Sequence, residues 1–310
     1  MERNTIAEGD CIATMAAWPE DSVDLVFADP PYNIGFEYDG HYVDRRPDDE
    51  YLDWTYSWID AAARLMKPSG SLYVLIGDEY AAETRLHLKK LQAEGRLLFR
   101  NWIIWHYSFG QRCKLKFNRS HAHLFYCVGS AALNPKTGRA RTNLTRQPPF
   151  TFNYDAAAVP SARMTTYNDA RQNPKGKLPD DTWILKRFPD SADWHLRPPL
   201  AAEDPNEPLL QPEQDVWANA RLCGTFGERE QWHPCQLPES LLTRIVKTSS
   251  NPGDLVFDPF AGSGTTLAVA AREKRDWLGC ELSPSYRQKA LERIARVEPS
   301  DAPLALSPDA

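Results

Sequence analysis

Short apolar runs alternate with stretches of helical periodicity along much of the chain. SVDLVFA (22–28) is a continuous apolar run of strand length that stops at Asp29-Pro30, which predicts a buried strand. Residues 51–66 repeat apolar and aromatic side chains at helical spacing and stop at Pro68-Ser69-Gly70. SLYVLI (71–76) predicts another buried strand, 79–94 an amphipathic helix closed by Gly95, and 97–107 and 123–128 two more strands. The alternation returns after Leu237, with helices over 238–250, 265–273 and 284–297 and strands over 255–258 and 277–282. Strands alternating with helices imply an α/β fold, a doubly wound and mostly parallel sheet covered on both faces.

The middle of the chain breaks this pattern. Eleven prolines fall between Pro148 and Pro212, and proline at that density blocks long helices and central strands. The expected division is therefore one domain in two halves, 1–130 and 216–297, separated by a loop-rich insertion at 131–215 and followed by a flexible tail at 298–310.

Composition narrows the class. With 42% hydrophobic and 25% charged residues, the 310-residue chain is neither disordered, collagenous nor a disulfide-stapled mini-domain. No apolar run approaches the roughly 18 to 20 residues of a membrane helix, and the N-terminus has no apolar secretory core. Six cysteines form no CxxC pair, so reduced thiols in a cytoplasmic protein, with no metal site, are expected.

Charge changes the picture more. The net charge is −6, yet no Asp or Glu occurs from Gly95 to Tyr154, where ten bases are interleaved with Trp, Tyr, Phe and His. A one-sign stretch of this kind is either a solvated basic face or a surface for a phosphate backbone. Arg112, Lys114, Lys116, Arg119, Arg139, Arg141 and Arg146 are the candidate nucleic-acid contacts.

Two motifs carry chemistry. Asp258-Pro259-Phe260-Ala261-Gly262-Ser263-Gly264-Thr265 follows a predicted strand and opens a helix. Its glycines let a ligand approach the backbone, and Glu281, nineteen residues after Gly262, stands where an acid would accept from ribose hydroxyls. No Gly-Lys-Ser/Thr follows and Leu267 replaces a third glycine, so a nucleoside without pyrophosphate fits best. The other motif, Asp29-Pro30-Pro31-Tyr32, ends a predicted strand. A carboxylate and a rigid carbonyl make a pair of acceptors for one amino group, and Tyr32 offers a face on which a base can stack. Alone, that tetrapeptide is also an ordinary turn.

Together the two motifs resemble those of the DNA amino-methyltransferases that use S-adenosylmethionine, and their order, catalytic motif first and cofactor motif about 230 residues later, resembles the circularly permuted beta class. The resemblance covers roughly 1–130 and 215–297. It implies a Rossmann-like sheet with a target-recognition insertion, and a methyl transfer from S-adenosylmethionine to an exocyclic amine of a base flipped from duplex DNA. Asp29, Pro30, Pro31 and Tyr32 would be catalytic. The cofactor residues implied are Asp10, Cys11, Asp29, His233, Pro234, Gln236, Asp258, Phe260, Ala261, Gly262, Ser263, Gly264, Thr265, Glu281 and Leu282. Asp10 would meet the adenine amino group of the cofactor, and His233-Pro234-Cys235-Gln236 would close over its methionine end. Leu237 stands where the class more commonly has Lys. Asn118 to His121, with His123, resembles the segment beside the catalytic pocket. An acid at position 29 goes mostly with adenine. The alternatives are the N4 amine of cytosine and an inactive DNA-binding protein on the same fold. Partners implied by the class are double-stranded DNA, a second copy of the chain and a separately acting restriction endonuclease, with the protein in the cytoplasm at the nucleoid.

Reversing the charges of Lys114, Lys116 and Arg119 is expected to weaken DNA binding across sequences and to flatten its dependence on salt, by about one unit of log–log slope for each phosphate no longer neutralised. A salt titration of binding with an unchanged slope would remove this stretch from the interface.

Overall fold

The computed structural model describes residues 1–40, 42–107, 114–115, 117, 119–141, 148–158, 171, 173, 176–178, 182–184 and 229–298. Strands β1 (Thr5–Glu8), β2 (Val23–Ala28), β5 (Met66–Ile76), β6 (Leu97–His106), β7 (His121–Gly129), β8 (Thr182–Ile184), β9 (Leu255–Asp258) and β10 (Asp276–Glu281) form one sheet. Its spatial order is β1-β10-β9-β2-β5-β7-β6-β8. Only β7 runs against its neighbours, pairing antiparallel with β5 and β6. A small hairpin, β3 (Glu37–Tyr38) and β4 (Tyr42–Val43), stands apart from the sheet.

Helices α1 (Cys11–Ala16), α2 (Asp48–Leu65) and α3 (Ala81–Ala93) precede the middle of the chain, α4 (Tyr154–Ala157) lies within it, and α5 (Glu239–Ser249), α6 (Thr265–Arg272) and α7 (Pro284–Ala295) follow. The period-two pleat of β2 divides the core. Val26 and Ala28 pack with Trp58, Ile59 and Leu65 of α2, whereas Leu25 and Phe27 pack on the other face with Leu241 and Ile245 of α5. Both faces of the central strands are therefore dry, which is why their sequences read as unbroken apolar runs.

The structure departs from the periodicity at Pro68-Ser69-Gly70. There the helix has already ended at Leu65, and β5 runs through the segment rather than starting after it. Gly70 and Gly129 make this close approach feasible: a Cβ on Gly70 would lie 2.8 Å from the Asp24 carbonyl oxygen. The β2–β5 register shifts beside Asp24, whose carboxylate accepts from Lys67 Nζ at 2.7 Å and from the Leu255 amide at 2.9 Å. One side chain thus joins β2, β5 and β9.

The expected insertion boundary at 131 is not a packing boundary. Ala132, Leu133 and Phe150 share the apolar cluster of β6 and β7. Asn153 donates to the Lys247 and Ser250 carbonyls at 2.8 and 2.9 Å, clamping this segment to the end of α5. β8, also within 131–215, adds to the sheet edge parallel to β6. The proposed tail lies outside the described residues except for Glu298.

The chain reverses its winding between β9 and β2. From β9 it passes through α6 to β10 on one side, and from β2 through α2 to β5 on the other. In doubly wound sheets the crevice beyond such a switch point is where ligands bind. Among the described residues, no helix is long and apolar enough to cross a membrane.

Candidate active site

Asp29 to Tyr32 continue directly from β2, and Asp258 to Gly262 from β9. Val26 pairs with Phe257 across these parallel strands, so both motifs emerge at the same end of the sheet. They line one cavity of about 290 Å³. The Tyr32 hydroxyl donates to Asp29 Oδ1 at 2.7 Å. Burial, and then the Asp29 charge, hold the Tyr32 phenol well above its ordinary pKa. Tyr51 donates to the Pro31 carbonyl at 2.7 Å, which fixes the second proline. Asn33 follows in the left-handed region, φ 60°, a conformation Asn tolerates better than most residues. It exchanges hydrogen bonds with the Arg46 backbone and donates to the Tyr80 hydroxyl, turning the chain sharply after the motif.

The other wall is built around Glu281. Its two oxygens accept from the Gly262 amide at 2.8 Å and the Ser283 amide at 2.9 Å, which sets the plane of the carboxylate and leaves further lone pairs. Burial raises its pKa. Asp258 is also buried and accepts from the Phe260 amide at 2.9 Å. Desolvation pushes it up to about 7, against hydrogen bonds from Thr266 and Phe260 that lower it. Gly262, at φ 50°, lies against His233, whose Nε2 would be 3.0 Å from a Cβ placed there. His233 is buried, and desolvation followed by the Arg293 charge lowers it to about 4, so the ring is neutral near pH 7.

Every expected catalytic and cofactor residue lines this cavity except Gly264. Gly264 instead caps α6 at φ 74° and packs against Ala290 of α7, where a Cβ would come within 3.0 Å. Asp10 lines the cavity while its Oδ1 accepts from the Ala13 amide and caps α1. Gln236 accepts from the Glu230 amide at 2.7 Å, tying the His233–Gln236 segment to the chain before it.

The structure adds residues that neither motif marks. The β3–β4 hairpin brings Tyr38 and Tyr42 to the cavity, and Arg46 lies over the rings of Tyr42 and Trp54. Asp39, in its turn, accepts from Ser283 Oγ at 2.6 Å, so the hairpin bridges the two walls. The Asp39-Gly40 pair between aromatic residues is the turn signal that predicts it.

The basic candidates separate. Arg119 lines the cavity beside Tyr32 and pairs with Asp78 at 2.5 Å. Lys114 and Arg139 are exposed, and Arg141 Nε donates to the Leu133 carbonyl. Arg112, Lys116 and Arg146 lie outside the described residues. His121 lines the cavity. His123 is buried and its Nδ1 accepts from Trp102 at 2.9 Å, a packing role. Among the described residues no group of three or more His, Cys, Asp or Glu is placed to hold a metal ion.

A family model described as DNA methylase matches residues 23–292, from β2 into α7. The chain belongs to the DNA methylase family. The DNA adenine methyltransferase YhdJ of Escherichia coli K12 is similar to this methylase, 32% identical over 294 residues that cover 94% of this chain and 83% of the relative. Type II methyltransferase M.BamHI of Bacillus amyloliquefaciens is 31% identical over 88% of this chain but 53% of its own length, so the methylase spans about half of that relative. The crystal structure of the M1.HpyAVI–SAM complex shares the fold with a TM-score of 0.55 at 17% identity, covering 94% and 98% of the two chains. PvuII DNA methyltransferase, cytosine-N4-specific, shares it with a TM-score of 0.54 at 18% identity, covering 95% of each.

A DNA methylase is a methyltransferase, and the M1.HpyAVI structure of this fold is a complex with S-adenosylmethionine. The cleft would suit such a molecule: Asp258 and Glu281 bring carboxyl groups to it, and Phe260 and Trp54 give it apolar walls.

The buried acids carry a pH signature. An acid harder to ionise in the folded chain than in the unfolded one loses stability as pH rises between its two values, here from 3.8 to about 7 for Asp258. Asp258→Asn is therefore expected to raise the Tm of the ligand-free protein at pH 8 by about 5–10 °C and to leave it nearly unchanged at pH 4. Equal shifts at both pH values in thermal melts would show that the carboxylate ionises normally.

Proposed function

We propose that this DNA methylase transfers the methyl group of S-adenosylmethionine to N6 of adenine in duplex DNA. The observation that carries the reading is the meeting of Asp29-Pro30-Pro31-Tyr32 with the Asp258–Gly262 loop and Glu281 around one cavity. When bound, S-adenosylmethionine supplies an activated methyl group on a sulfonium. The remaining chemistry is alignment, which these residues would provide.

The target base must leave the duplex to reach the cavity. Tyr32 would stack on it, a contact worth about 1–3 kcal/mol by alanine substitution. Asp29 and the Pro30 carbonyl would accept the two amino hydrogens, drawing the nitrogen lone pair out of conjugation. Tyr51 occupies the neighbouring Pro31 carbonyl, which leaves this role to Pro30. The target amine would take from Tyr32 its place on Asp29 Oδ1. The nitrogen would then bond in line to the methyl carbon as the carbon–sulfur bond breaks and its electron pair returns to sulfur as a thioether, and the proton the amine sheds would pass to Asp29 or to solvent. No thiol nucleophile is needed. Burial raises the Cys11 thiol to about 12 and the Cys280 thiol well above its ordinary value, so neither is a thiolate near neutral pH.

Adenine is favoured by the acid at position 29 and by the similarity to YhdJ, named a DNA adenine methyltransferase. The similarity to a cytosine-N4 enzyme is one of fold. Site-specific recognition is assigned to the segment 131–215 and phosphate contacts to the basic stretch before it. A separately acting restriction endonuclease and a second copy of the chain complete the partners proposed. M.BamHI carries the type II name.

Incubation with unmethylated bacterial DNA and S-adenosylmethionine, followed by nucleoside mass spectrometry, is expected to yield N6-methyldeoxyadenosine. N4-methyldeoxycytidine would overturn the base assignment and keep the chemistry. Cofactor binding without any methylated base would favour a non-catalytic DNA-binding protein. Asp29→Ala is expected to lower methyl transfer at least about 100-fold, with S-adenosylmethionine affinity within about threefold by calorimetry. Joint loss of binding and transfer would make Asp29 structural.

A further inference from the structure

Among the described residues, two arginines and no lysine line the cavity. Arg119 is taken: it pairs with Asp78 at 2.5 Å. It also stands on the side of Tyr32, since a Cβ on Gly77 would lie 3.5 Å from the Tyr32 ring and 3.9 Å from Arg119 Nη1. Arg46 belongs to none of the ion pairs among the described residues. It is nevertheless held firmly. Its amide donates to Asn33 Oδ1 at 2.7 Å and its carbonyl accepts from Asn33 Nδ2 at 3.0 Å. Its guanidinium lies 4.9 Å from the centre of the Trp54 ring and 5.7 Å from that of Tyr42. Burial raises the Tyr42 phenol, and the Arg46 charge beside it acts the other way. A guanidinium stacked on aromatic faces keeps its N–H donors at the edge, in the fork that matches a carboxylate.

The rest of the lining selects the anion. Asp10, Asp29, Asp258 and Glu281 all bring carboxyl groups to the same cavity. They suit cations, and S-adenosylmethionine has two cationic centres, its ammonium and its sulfonium. Its one carboxylate would meet like charge at each of these acids, in a partly desolvated site where such repulsion is costly. That group needs a cation of its own. A DNA phosphate is the other anion this protein would meet. The position of Arg46 favours the carboxylate: Trp54 packs on Phe260 with ring centres 5.6 Å apart, which ties the guanidinium to the loop that follows β9 rather than to the side of Tyr32.

We propose that Arg46 is the carboxylate anchor of the methyl donor, receiving the carboxylate of the methionine end of S-adenosylmethionine while Trp54 and Tyr42 hold its guanidinium in place. The assignment rests on S-adenosylmethionine as the donor in the reaction proposed above. It makes Arg46 a binding residue that fixes one end of the donor, separate from the groups that face the target amine.

The test is calorimetric and uses the full chain with two ligands: S-adenosylmethionine and decarboxylated S-adenosylmethionine, which keeps the sulfonium and the amine and lacks only the carboxylate. Arg46→Gln is expected to weaken S-adenosylmethionine by about tenfold or more, the size of a charge-assisted contact. It is expected to leave the decarboxylated ligand within about threefold of its affinity for the unsubstituted chain. The unsubstituted chain itself is expected to bind the decarboxylated ligand about tenfold or more weakly than S-adenosylmethionine. Arg46→Lys keeps the charge without the fork, and its loss is expected to be smaller than that of Arg46→Gln and again confined to the ligand with the carboxylate. Equal losses on both ligands, or no loss on either, overturn the assignment. So does an unsubstituted chain that binds the two ligands equally, a result that needs no variant to fold. Unchanged S-adenosylmethionine affinity with weakened binding to duplex DNA would give Arg46 to a phosphate instead and overturn it as well. An unsubstituted chain that shows this ligand discrimination and methylates no DNA would overturn the proposed function and support the anchor; one that binds no S-adenosylmethionine would overturn both.

Discussion

The parallel pairing of β2 with β9 is the constraint on which the site depends. Leu25 meets Val256 and Val26 meets Phe257, partners about 230 residues apart in the chain. Nothing local holds them, so the register must come from burial and from Asp24. Its carboxylate binds the Leu255 amide at the far end of β9 while gripping Lys67 at the start of β5. A slip of one residue would exchange the two faces of β2, sending Val26 toward α5 and Phe27 toward α2. It would also move Asp29 by about 3.3 Å along the sheet relative to Asp258. The dry core on both faces therefore fixes the alignment of Asp29 with Asp258, and under the proposed function a packing requirement becomes a catalytic one.

The cleft itself runs against stability. Desolvation raises both Asp258 and Glu281, and no cation among the described ion pairs is joined to either. Elsewhere the same half of the molecule pairs its charges: Glu239 meets Arg272 at 2.5 Å and Arg293 at 2.7 Å, and this arrangement lowers its carboxyl despite burial. The difference follows from the use of each acid. Glu239 ties α5 to α6 and α7, whereas Asp258 and Glu281 face the cavity. A cationic ligand with hydroxyl donors would relieve what the fold leaves strained, and its binding would then be linked to folding stability through the same groups.

Legibility in the sequence follows physical locality. β9 is readable to the residue because LVFD is a dry run bounded by Gly253-Asp254 and Pro259. The two motifs are readable because their chemistry is written in consecutive side chains. β1 is not, since TIAE alternates on an edge and has too few apolar residues to stand out. The start of β5 is hidden because Pro68-Ser69-Gly70 has turn composition, and the glycines that admit it as strand act through neighbours distant in sequence. Tyr38, Tyr42 and Arg46 escape the motifs for a related reason: their contribution arises when the hairpin folds across the cleft and Ser283 secures Asp39. Gly264 shows the converse, a motif residue whose missing Cβ serves α7 rather than the cavity.

Chain order also misleads about which residues form each half. Residues 1–130 read as a catalytic half, yet β1 pairs with β10, at the opposite end of the sequence. The Asn4 amide donates to the Trp277 carbonyl at 2.7 Å and the Gly9 amide to the Glu281 carbonyl at 2.9 Å. Arg287 of α7 reaches the Ile6 carbonyl at 2.7 Å. The first strand is thus an outer stave of the side built on β9 and β10, and it delivers Asp10 to the cavity wall that Glu281 completes. A permuted order leaves this strand covalently attached to β2 through α1 instead of to the strands it packs with. This wall of the cavity is complete only when both ends of the chain have come together, so its formation reports on the closure of the whole sheet rather than on either half.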